Sequence, residues 1–195
     1  MLYTTYADII RPQSRLSSLT YNATLVVGGS LLVALCAQLA IYLPFSPVPV
    51  TMQTFGVVLV GALLGSRRGA LSMVAYLTEG AMGLPVFAGG GFGLAHLLGP
   101  TGGYLLGFVP AAFIVGWFAE RGWDRRYWST IAAMSLGTMA LFICGLAWLV
   151  KFVGSDLVLQ AGLFPFLPGS VVKIGLASIL LPSGWKLLGL KKSDK

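Results

Sequence analysis

Long apolar stretches, separated by short segments rich in glycine, proline or charge, run along most of this chain. Segments of about 20 mostly apolar residues, each enough for an α-helix to cross a bilayer, can be placed six times. The first begins near Asn22, a candidate helix cap, and the last ends near Leu188. The short alternating strands of a transmembrane β-barrel are not part of this pattern. We therefore predict an all-α integral membrane protein with six transmembrane helices in one domain, 1–195.

The apolar runs give approximate boundaries for these helices. Residues 1–21 form an N-terminal segment, 22–188 the six-helix bundle, and 189–195 a basic tail. The second span has a clearly apolar run of only ten residues, 55–64, so part of the preceding proline-rich segment is expected to dip into the membrane. The six spans are predicted at 22–43, around 55–64, 70–84, 101–120, 128–150 and 168–188.

Composition and charge agree with a membrane location. Hydrophobic residues make up 56% of the chain and charged residues 10%, against roughly 25% charged residues in soluble domains. The net charge of +7 does not indicate nucleic-acid binding, because 11 of the 13 lysines and arginines fall at one end of the predicted bundle. By the positive-inside rule, both termini and the loops at that end are cytoplasmic. The first twenty residues lack the pattern of a removable signal peptide.

Three loops at the opposite end of the bundle, 44–53, 83–100 and 162–170, contain prolines and are largely apolar. They predict an outward-facing cup capped by loops 1–2, 3–4 and 5–6, and a mostly apolar cavity with a few polar groups is the usual form of a small-molecule site. Glycines such as Gly89 and Gly90 would expose backbone amides there. The polar groups of the cup are Thr51, Gln53, Glu79, His96, Tyr104, Ser170, Lys173 and the amides of 89–93.

Two of these residues, Glu79 and Lys173, are ionisable groups inside predicted spans, which marks them as candidates for function. A Glu79 that reaches the nearby membrane boundary is the ordinary alternative. His96 is the only histidine of the chain, and a simple loop residue is favoured over a general base. The two cysteines, Cys36 and Cys144, lie in apolar segments and are assigned no redox role.

Several kinds of chemistry lack their motifs. The chain contains no G-x-x-x-x-G-K-[ST] for nucleotide phosphates and no H-E-x-x-H for zinc. A single histidine argues against a Ser–His hydrolase or a zinc site. We predict that the protein is not an enzyme and has no metal and no cofactor. An intramembrane enzyme acting on a lipid-like substrate stays the alternative, and a purely structural helix bundle is the third interpretation.

Four segments of the loops and helix ends have a distinctive wording: PVPVTMQT at 47–54, GLPVFAGG at 83–90, GPTGGYLLGF at 99–108 and FLPGSVVK at 166–173. Together they resemble the signature segments of the BioY family, the biotin-specific substrate-capture (S) components of energy-coupling factor (ECF) transporters. The resemblance implies a six-helix protein of the bacterial plasma membrane that binds biotin from outside. It also implies partners within the lipid bilayer and the cytoplasm: a transmembrane coupling subunit and two ATP-binding-cassette ATPase subunits.

The resemblance also implies roles for individual residues. Family members commonly carry an acidic residue three positions before the lysine of span 6, whereas this chain has Ser170 before Lys173. We expect Glu79 to replace that acidic partner, and Phe87 to contact the ring system of biotin. The ligand-binding residues predicted are Thr51, Gln53, Glu79, Phe87, Gly89, Gly90, Tyr104, Ser170 and Lys173.

Span 1 contains small residues that would allow another helix to approach closely. Gly29, Ser30 and Ala34 are predicted to pack on the coupling subunit. An internal contact within this same chain is an equally good explanation of the small side chains.

Overall fold

The computed structural model describes residues 5–9, 12 and 14–188, so the predicted basic tail at 189–195 lies outside the described residues. The fold is all-helical apart from one antiparallel ladder of two residues per strand. The helices are α1 (Tyr6–Ile9), α2 (Arg15–Gln38), α3 (Gln53–Leu64), α4 (Ser66–Ala81), α5 (Gly93–Leu98), α6 (Gly102–Ala119), α7 (Tyr127–Val153), α8 (Val158–Gly162) and α9 (Leu167–Leu187), the strands are β1 (Ala40–Ile41) and β2 (Val50–Thr51), and 3-10 turns lie at Ala88–Gly90, Trp123–Arg125 and Phe164–Phe166.

Four helical stretches are long and apolar enough to cross a membrane: Leu16–Gln38, Gly102–Ala119, Tyr127–Val153 and Val158–Leu187. The apolar helix α3 is shorter, with 12 residues, and α4 has 16. The helices predicted at 101–120, 128–150 and 168–188 are confirmed as α6, α7 and α9, each boundary within three residues. The chain is therefore a multi-pass membrane protein, as its hydropathy predicted.

The predicted start of the first span is wrong. Helix α2 begins at Arg15, and Asn22 lies inside it. The cap is Ser14, whose side-chain oxygen accepts a hydrogen bond from the Ser17 backbone N–H at 3.3 Å. A serine that accepts from the third residue after it satisfies one of the unpaired N–H groups at a helix start. The helix also ends earlier than expected, at Gln38, because the chain then turns into β1.

A single residue joins α3 to α4. Gly65 has φ +86°, a backbone conformation that glycine adopts without the strain a side chain would add. The Glu120 carboxylate at the end of α6 accepts hydrogen bonds from the Ser66 backbone N–H (2.7 Å) and hydroxyl (2.8 Å). A carboxylate at a helix N-terminus is favoured by the helix dipole. This contact starts α4 four residues before the predicted Ala70.

Helix α6 lies at the centre of the bundle and packs against α3, α4 and α7. A close approach joins α3, α4 and α6, where a Cβ added at Gly61 would lie 2.6 Å from the Ala112 carbonyl oxygen and one at Gly69 would lie 2.9 Å from the Gly61 Cα. Small residues allow such contacts between helices in a membrane. Helix α2 packs on α4 and α3 from one side, and α9 packs on α7 and α3 from another.

The two ends of the bundle differ in chemistry. At one end, β1 and β2 pair with Ala40 opposite Thr51, and the Ser46 hydroxyl donates to the Ala161 carbonyl oxygen at 2.7 Å, which links loop 1–2 to α8. We call this the cavity end. The opposite end, called the basic end, carries the described cationic residues Arg67, Arg68, Arg121, Arg125, Arg126 and Lys186.

Candidate ligand-binding site

A cavity lies at the cavity end, beneath residues of loops 1–2, 3–4 and 5–6. Its empty volume is about 560 Å³, a figure that includes its opening to solvent. Most of the lining is apolar or aromatic, with a few polar groups. The lining residues are Val48, Pro49, Thr51, Gln53, Thr54, Ala88, His96, Thr101, Tyr104, Leu105, Phe108, Leu141, Phe142, Phe166, Ser170 and Lys173.

Lys173 is the cation of this cavity. It lies in the second turn of α9, and its ammonium donates hydrogen bonds to the Thr51 carbonyl oxygen and to the Thr54 hydroxyl, the latter at 2.9 Å. Thr51 ends β2, and Thr54 lies in the first turn of α3. An ammonium group has three N–H donors, so one donor of Lys173 stays available to a ligand.

A chain of hydrogen bonds forms the polar wall beside Lys173. The Thr51 hydroxyl donates to Gln53 Oε1 at 2.9 Å, and Gln53 Nε2 donates to the Tyr76 hydroxyl at 2.6 Å. Tyr76 in turn donates to the Val86 carbonyl oxygen at 3.0 Å. Gln53 is 5% exposed and Tyr76 is fully buried. Because buried polar groups with satisfied partners hold one geometry, this network fixes the Gln53 amide at the cavity wall.

The facing wall is aromatic. The Tyr104 ring stacks on Phe166 with centroids 6.1 Å apart and meets Phe142 edge-on at 6.4 Å. The Tyr104 hydroxyl donates to the Gly162 carbonyl oxygen at 2.7 Å, which ties α6 to the end of α8. Aromatic faces of this kind pack well on apolar rings and on sulfur.

Ser170 lies one helical turn from Lys173 on α9 and lines the same cavity. Its hydroxyl donates to the Phe166 carbonyl oxygen at 2.8 Å. Since the donor is used within the helix, the Ser170 oxygen faces a ligand as an acceptor. Of the predicted site residues, the structure brings Thr51, Gln53, Tyr104, Ser170 and Lys173 together around one cavity.

Three predicted site residues of loop 3–4 do not line this cavity. Phe87 is fully buried and packs against the rings of Tyr76 (5.5 Å) and His96 (5.1 Å). Its prediction as a ligand contact is corrected: Phe87 supports the wall from behind. Gly89 and Gly90 both have positive φ, but a Cβ at Gly89 would meet the Tyr42 hydroxyl, and one at Gly90 would meet nothing within 4 Å.

The predicted pair of Glu79 and Lys173 is wrong. Glu79 Oε1 accepts a hydrogen bond from the Ser30 hydroxyl at 2.8 Å, and its Oε2 is buried without a hydrogen-bond partner among the described residues. Glu79 does not line the cavity. The reason is the rotation of α4 about its axis, which turns Tyr76 towards Gln53 and Glu79 towards α2.

The predicted surface for the coupling subunit is also corrected. Ser30 is fully buried, Ala34 is 9% exposed, and a Cβ at Gly29 would lie 2.5 Å from the Ser72 hydroxyl oxygen. These small residues pack α2 against α4 inside this chain, because their face is turned towards Ser72 and Glu79. The internal contact, which the sequence left open as an alternative, is the correct explanation.

Sequence reasoning missed several residues of the site. Tyr76, a phenol in an otherwise apolar stretch of α4, was a signal for a buried polar partner. Thr54 directly follows the predicted Gln53 and was overlooked. His96, which the sequence placed among the polar groups of the cup, lines the cavity and also a neighbouring pocket between loops 1–2 and 3–4. Burial lowers the pKa of the His96 imidazole, so at neutral pH it faces the cavity as a neutral group.

This chain is similar to proteins that are named as biotin transporters. The model of the BioY family matches residues 11–190. A probable biotin transporter BioY from Pyrococcus horikoshii is 42% identical over 134 residues, which cover 69% of this chain and 78% of that protein. The biotin transporter BioY from Rhodobacter capsulatus is 42% identical over 175 residues, covering 82% of this chain and 90% of that protein.

The fold has a solved counterpart. A crystal structure of the S-component for biotin from an ECF-type ABC transporter has a TM-score of 0.76 with this structure and 25% sequence identity, and the match covers 90% of this chain and 95% of the other. With a family model that spans nearly the whole sequence, this chain belongs to the BioY family.

Proposed function

We propose that this protein is the biotin-binding S component of an ECF transporter, which captures biotin from outside and delivers it inward. The observation that carries the proposal is the cavity itself, in which the Lys173 ammonium and a short polar wall face an aromatic wall. The chain's membership of the BioY family supports it, since its relatives are named biotin transporters. Those names give no support to the alternative of an intramembrane enzyme.

The chemistry of biotin fits the two walls. Its fused rings and their sulfur are apolar and suit the faces of Tyr104, Phe142 and Phe166. Its polar groups need both donors and acceptors, which the free donor of Lys173 and the oxygen of Ser170 supply. Polar groups placed at a few points of a mostly apolar cavity give such a site its specificity.

The proposed topology has six spans, formed by α2, α3, α4, α6, α7 and α9, with the basic end in the cytoplasm. Helices α3 and α4, at 1.5 Å per residue, reach about 18 and 24 Å, less than a hydrocarbon core of about 30 Å. The hairpin of β1 and β2 precedes α3 and supplies backbone at membrane depth, where it lines the cavity with Thr51. The positive-inside rule sets the orientation, and the plasma membrane is the compartment proposed.

The coupling subunit is proposed to pack on the exposed face of α2, opposite the buried face that carries Gly29, Ser30 and Ala34. Thr20, Thr24 and Gly28 are spaced four residues apart and exposed, and a Cβ at Gly28 would meet nothing within 4 Å. The Thr24 hydroxyl donates to the Thr20 carbonyl oxygen at 3.0 Å, so the face offers small side chains with satisfied polar groups. Close helix contact in a membrane favours such a face. Two ATP-binding-cassette ATPase subunits would complete the transporter.

Equilibrium dialysis of the purified protein against labelled biotin tests the proposal. Saturable binding of one biotin per chain, displaced by unlabelled biotin and not by riboflavin or thiamine, is the expected result. A control variant, Val171→Ala, changes an exposed residue of α9 and should bind normally. Absence of saturable biotin binding, with binding of one of the other vitamins, would overturn the assignment of the ligand.

A further inference from the structure

A second large opening lies at the basic end, far from the cavity residues in the fold. It is a groove between α2 on one side and α4 and α6 on the other, with an empty volume of about 2130 Å³ that includes its opening to solvent. The residues that line it are Asp8, Leu19, Asn22, Ala23, Val26, Leu64, Ser66, Arg67, Arg68, Leu71, Val74, Ala75, Phe113, Trp117, Glu120 and Arg121.

The groove continues one side of α2 towards the basic end. In the middle of α2, Gly29 lies against Ser72 of α4. One and two helical turns earlier, Val26 and Asn22 continue the same side of α2 and line the groove. The side of α2 that packs on α4 in its middle therefore lines the groove nearer its start.

The walls of the groove are apolar and open to the side. Leu19 is 67% exposed, Leu71 is 55% exposed, and Val74 and Phe113 are each 45% exposed. These residues belong to helices of a membrane protein, so the surface they present faces hydrocarbon. A long, open, apolar cleft of this kind fits an acyl chain.

Arginine side chains line this cleft at the basic end. Arg67 is exposed and has no hydrogen-bond or ion-pair partner among the described residues. Arg121 donates to the Trp117 carbonyl oxygen at 2.8 Å, and its guanidinium lies 3.2 Å from the centroid of the Trp117 ring. A guanidinium group has five N–H donors, so Arg121 keeps donors for a ligand.

The acidic groups of the groove are already engaged within the chain. Asp8 Oδ1 forms an ion pair with Arg68 at 2.8 Å. Glu120 accepts from the Ser66 backbone and hydroxyl. Asp8 thus pairs with Arg68, whereas Arg67 and Arg121 have no acidic partner among the described residues and stay open to an anion. An arginine fork matches the geometry of a phosphate.

Asn22 adds an amide group to the lining of the groove. Its Oδ1 is inaccessible to solvent and has no hydrogen-bond partner among the described residues. The side chain as a whole is only half-buried, so its NH₂ end is the part that the groove exposes. An amide NH₂ carries two donors, and here they can bind an ester carbonyl, the polar group that follows the phosphate in a phospholipid.

From these features we propose that the groove binds one anionic phospholipid. Its phosphate is held by Arg67 and Arg121, its ester region reaches Asn22, and one acyl chain lies along Leu19, Val74 and Phe113. The Trp117 indole stands beside the headgroup, where tryptophan is commonly found at a membrane boundary. The apolar cleft, the Asn22 amide and the two arginines match the acyl chain, the ester and the phosphate of a phospholipid, in that order.

Native mass spectrometry of the full chain with phosphatidylglycerol or phosphatidylcholine tests this proposal. We expect retained phosphatidylglycerol to fall about tenfold or more in Arg67→Gln/Arg121→Gln, since hydrogen bonds between charged groups are lost. The control Arg126→Gln/Lys186→Gln removes two charges of the same end outside the groove and should retain the lipid.

A second pair of variants tests the cleft without changing its charge. Val74→Trp should fill the groove and displace the lipid, whereas Val171→Trp, on the lipid-facing side of α9, should not. Equal retention of both lipids, or no difference between groove and control variants, would overturn the proposal. Displacement by glycerol-phosphoglycerol alone would reduce the site to an anion site and also overturn it. Biotin binding, measured on the same samples, reports separately on the proposed transport function.

Discussion

The Lys173 ammonium donates a hydrogen bond to the Thr51 carbonyl oxygen, 122 positions earlier in the chain. This bond connects α9 to the end of β2, two elements that lie far apart in the sequence. It places the cation of the cavity directly beside the polar wall that Thr51 and Gln53 begin. The contact explains how Lys173 is accommodated in a membrane helix with no acidic partner among the described residues, since carbonyl and hydroxyl oxygens solvate it.

Lys173→Met should weaken biotin binding. The substitution keeps a long side chain but removes the donor that faces the ligand and leaves the Thr51 carbonyl oxygen without this partner. A hydrogen bond from a charged group contributes roughly 1.5–3 kcal/mol, so the dissociation constant from equilibrium dialysis should rise about tenfold or more. Lys186→Met, at the basic end, is the matched control. Unchanged affinity in Lys173→Met would contradict the role of this residue.

Glu79 and Lys173 should act independently. Glu79 is bonded to Ser30, Lys173 to Thr51 and Thr54, and the two share no hydrogen-bond partner. In a double-mutant cycle of Glu79→Gln and Lys173→Met, the changes in unfolding free energy should therefore add within about 0.5 kcal/mol.

The cycle of Ser30→Ala and Glu79→Gln provides the positive control for this measurement. These residues are in direct contact at 2.8 Å, so an interaction energy above about 0.5 kcal/mol is expected. Coupling in the Glu79 and Lys173 cycle with none between Ser30 and Glu79 would show that the observed partners are incorrect.

Gly28→Leu and Ser30→Leu should have opposite effects. Gly28 is exposed with open space around it, so leucine there should leave thermal unfolding and biotin binding unchanged but block co-purification with the coupling subunit. Ser30 is fully buried against α4, and a larger side chain there should lower stability by about 1–3 kcal/mol or more. Normal assembly of Gly28→Leu with the coupling subunit would place the contact on another face.

Asp124 should make the protein less stable as the pH rises from about 4 to about 6. Burial raises the pKa of its carboxyl group to about 6, while the hydrogen bond from Trp185 Nε1 at 2.6 Å lowers it. Between the ordinary and the raised pKa, the folded state binds more protons than the unfolded state, so stability falls as the pH rises through this interval. The loss levels off as the pH rises past about 6, where the folded carboxyl group ionises.

Thermal unfolding of the wild type and Asp124→Asn across pH 4 to 7 measures the effect, because asparagine can still accept from Trp185 but does not ionise. The unfolding free energy of the wild type minus that of Asp124→Asn should decrease from low to neutral pH, because only the wild type loses stability as the carboxyl group ionises. Asp8 acts in the opposite direction: although burial raises the pKa of its carboxyl group, hydrogen bonds from Arg68 and Thr5 hold it below its ordinary value. Asp8 is common to both proteins and cancels. A constant difference over this range would contradict the prediction.

Much of the fold was predictable because hydropathy alone determines which segments enter a bilayer. The helices α6, α7 and α9 were placed within three residues from their apolar runs. The alternation of membrane ends along the chain also predicted that Thr51, Gln53, Tyr104, Ser170 and Lys173 would gather at one end, and the cavity contains all five. Backbone polar groups must be satisfied inside a membrane, and this leaves few alternatives to helices.

The partners of individual side chains depended on the tertiary structure. A run of apolar residues on all sides of a helix does not indicate how the helix is rotated about its axis. The rotation of α4 decides that Glu79 meets Ser30 rather than Lys173, and that of α2 turns Gly29 inward and Gly28 outward. Phe87 lies behind the wall for a similar reason, because Gly80 of α4 leaves room for its ring. The sequence determined the helices and the end at which the polar residues meet, whereas close packing of neighbouring helices determined which pairs touch.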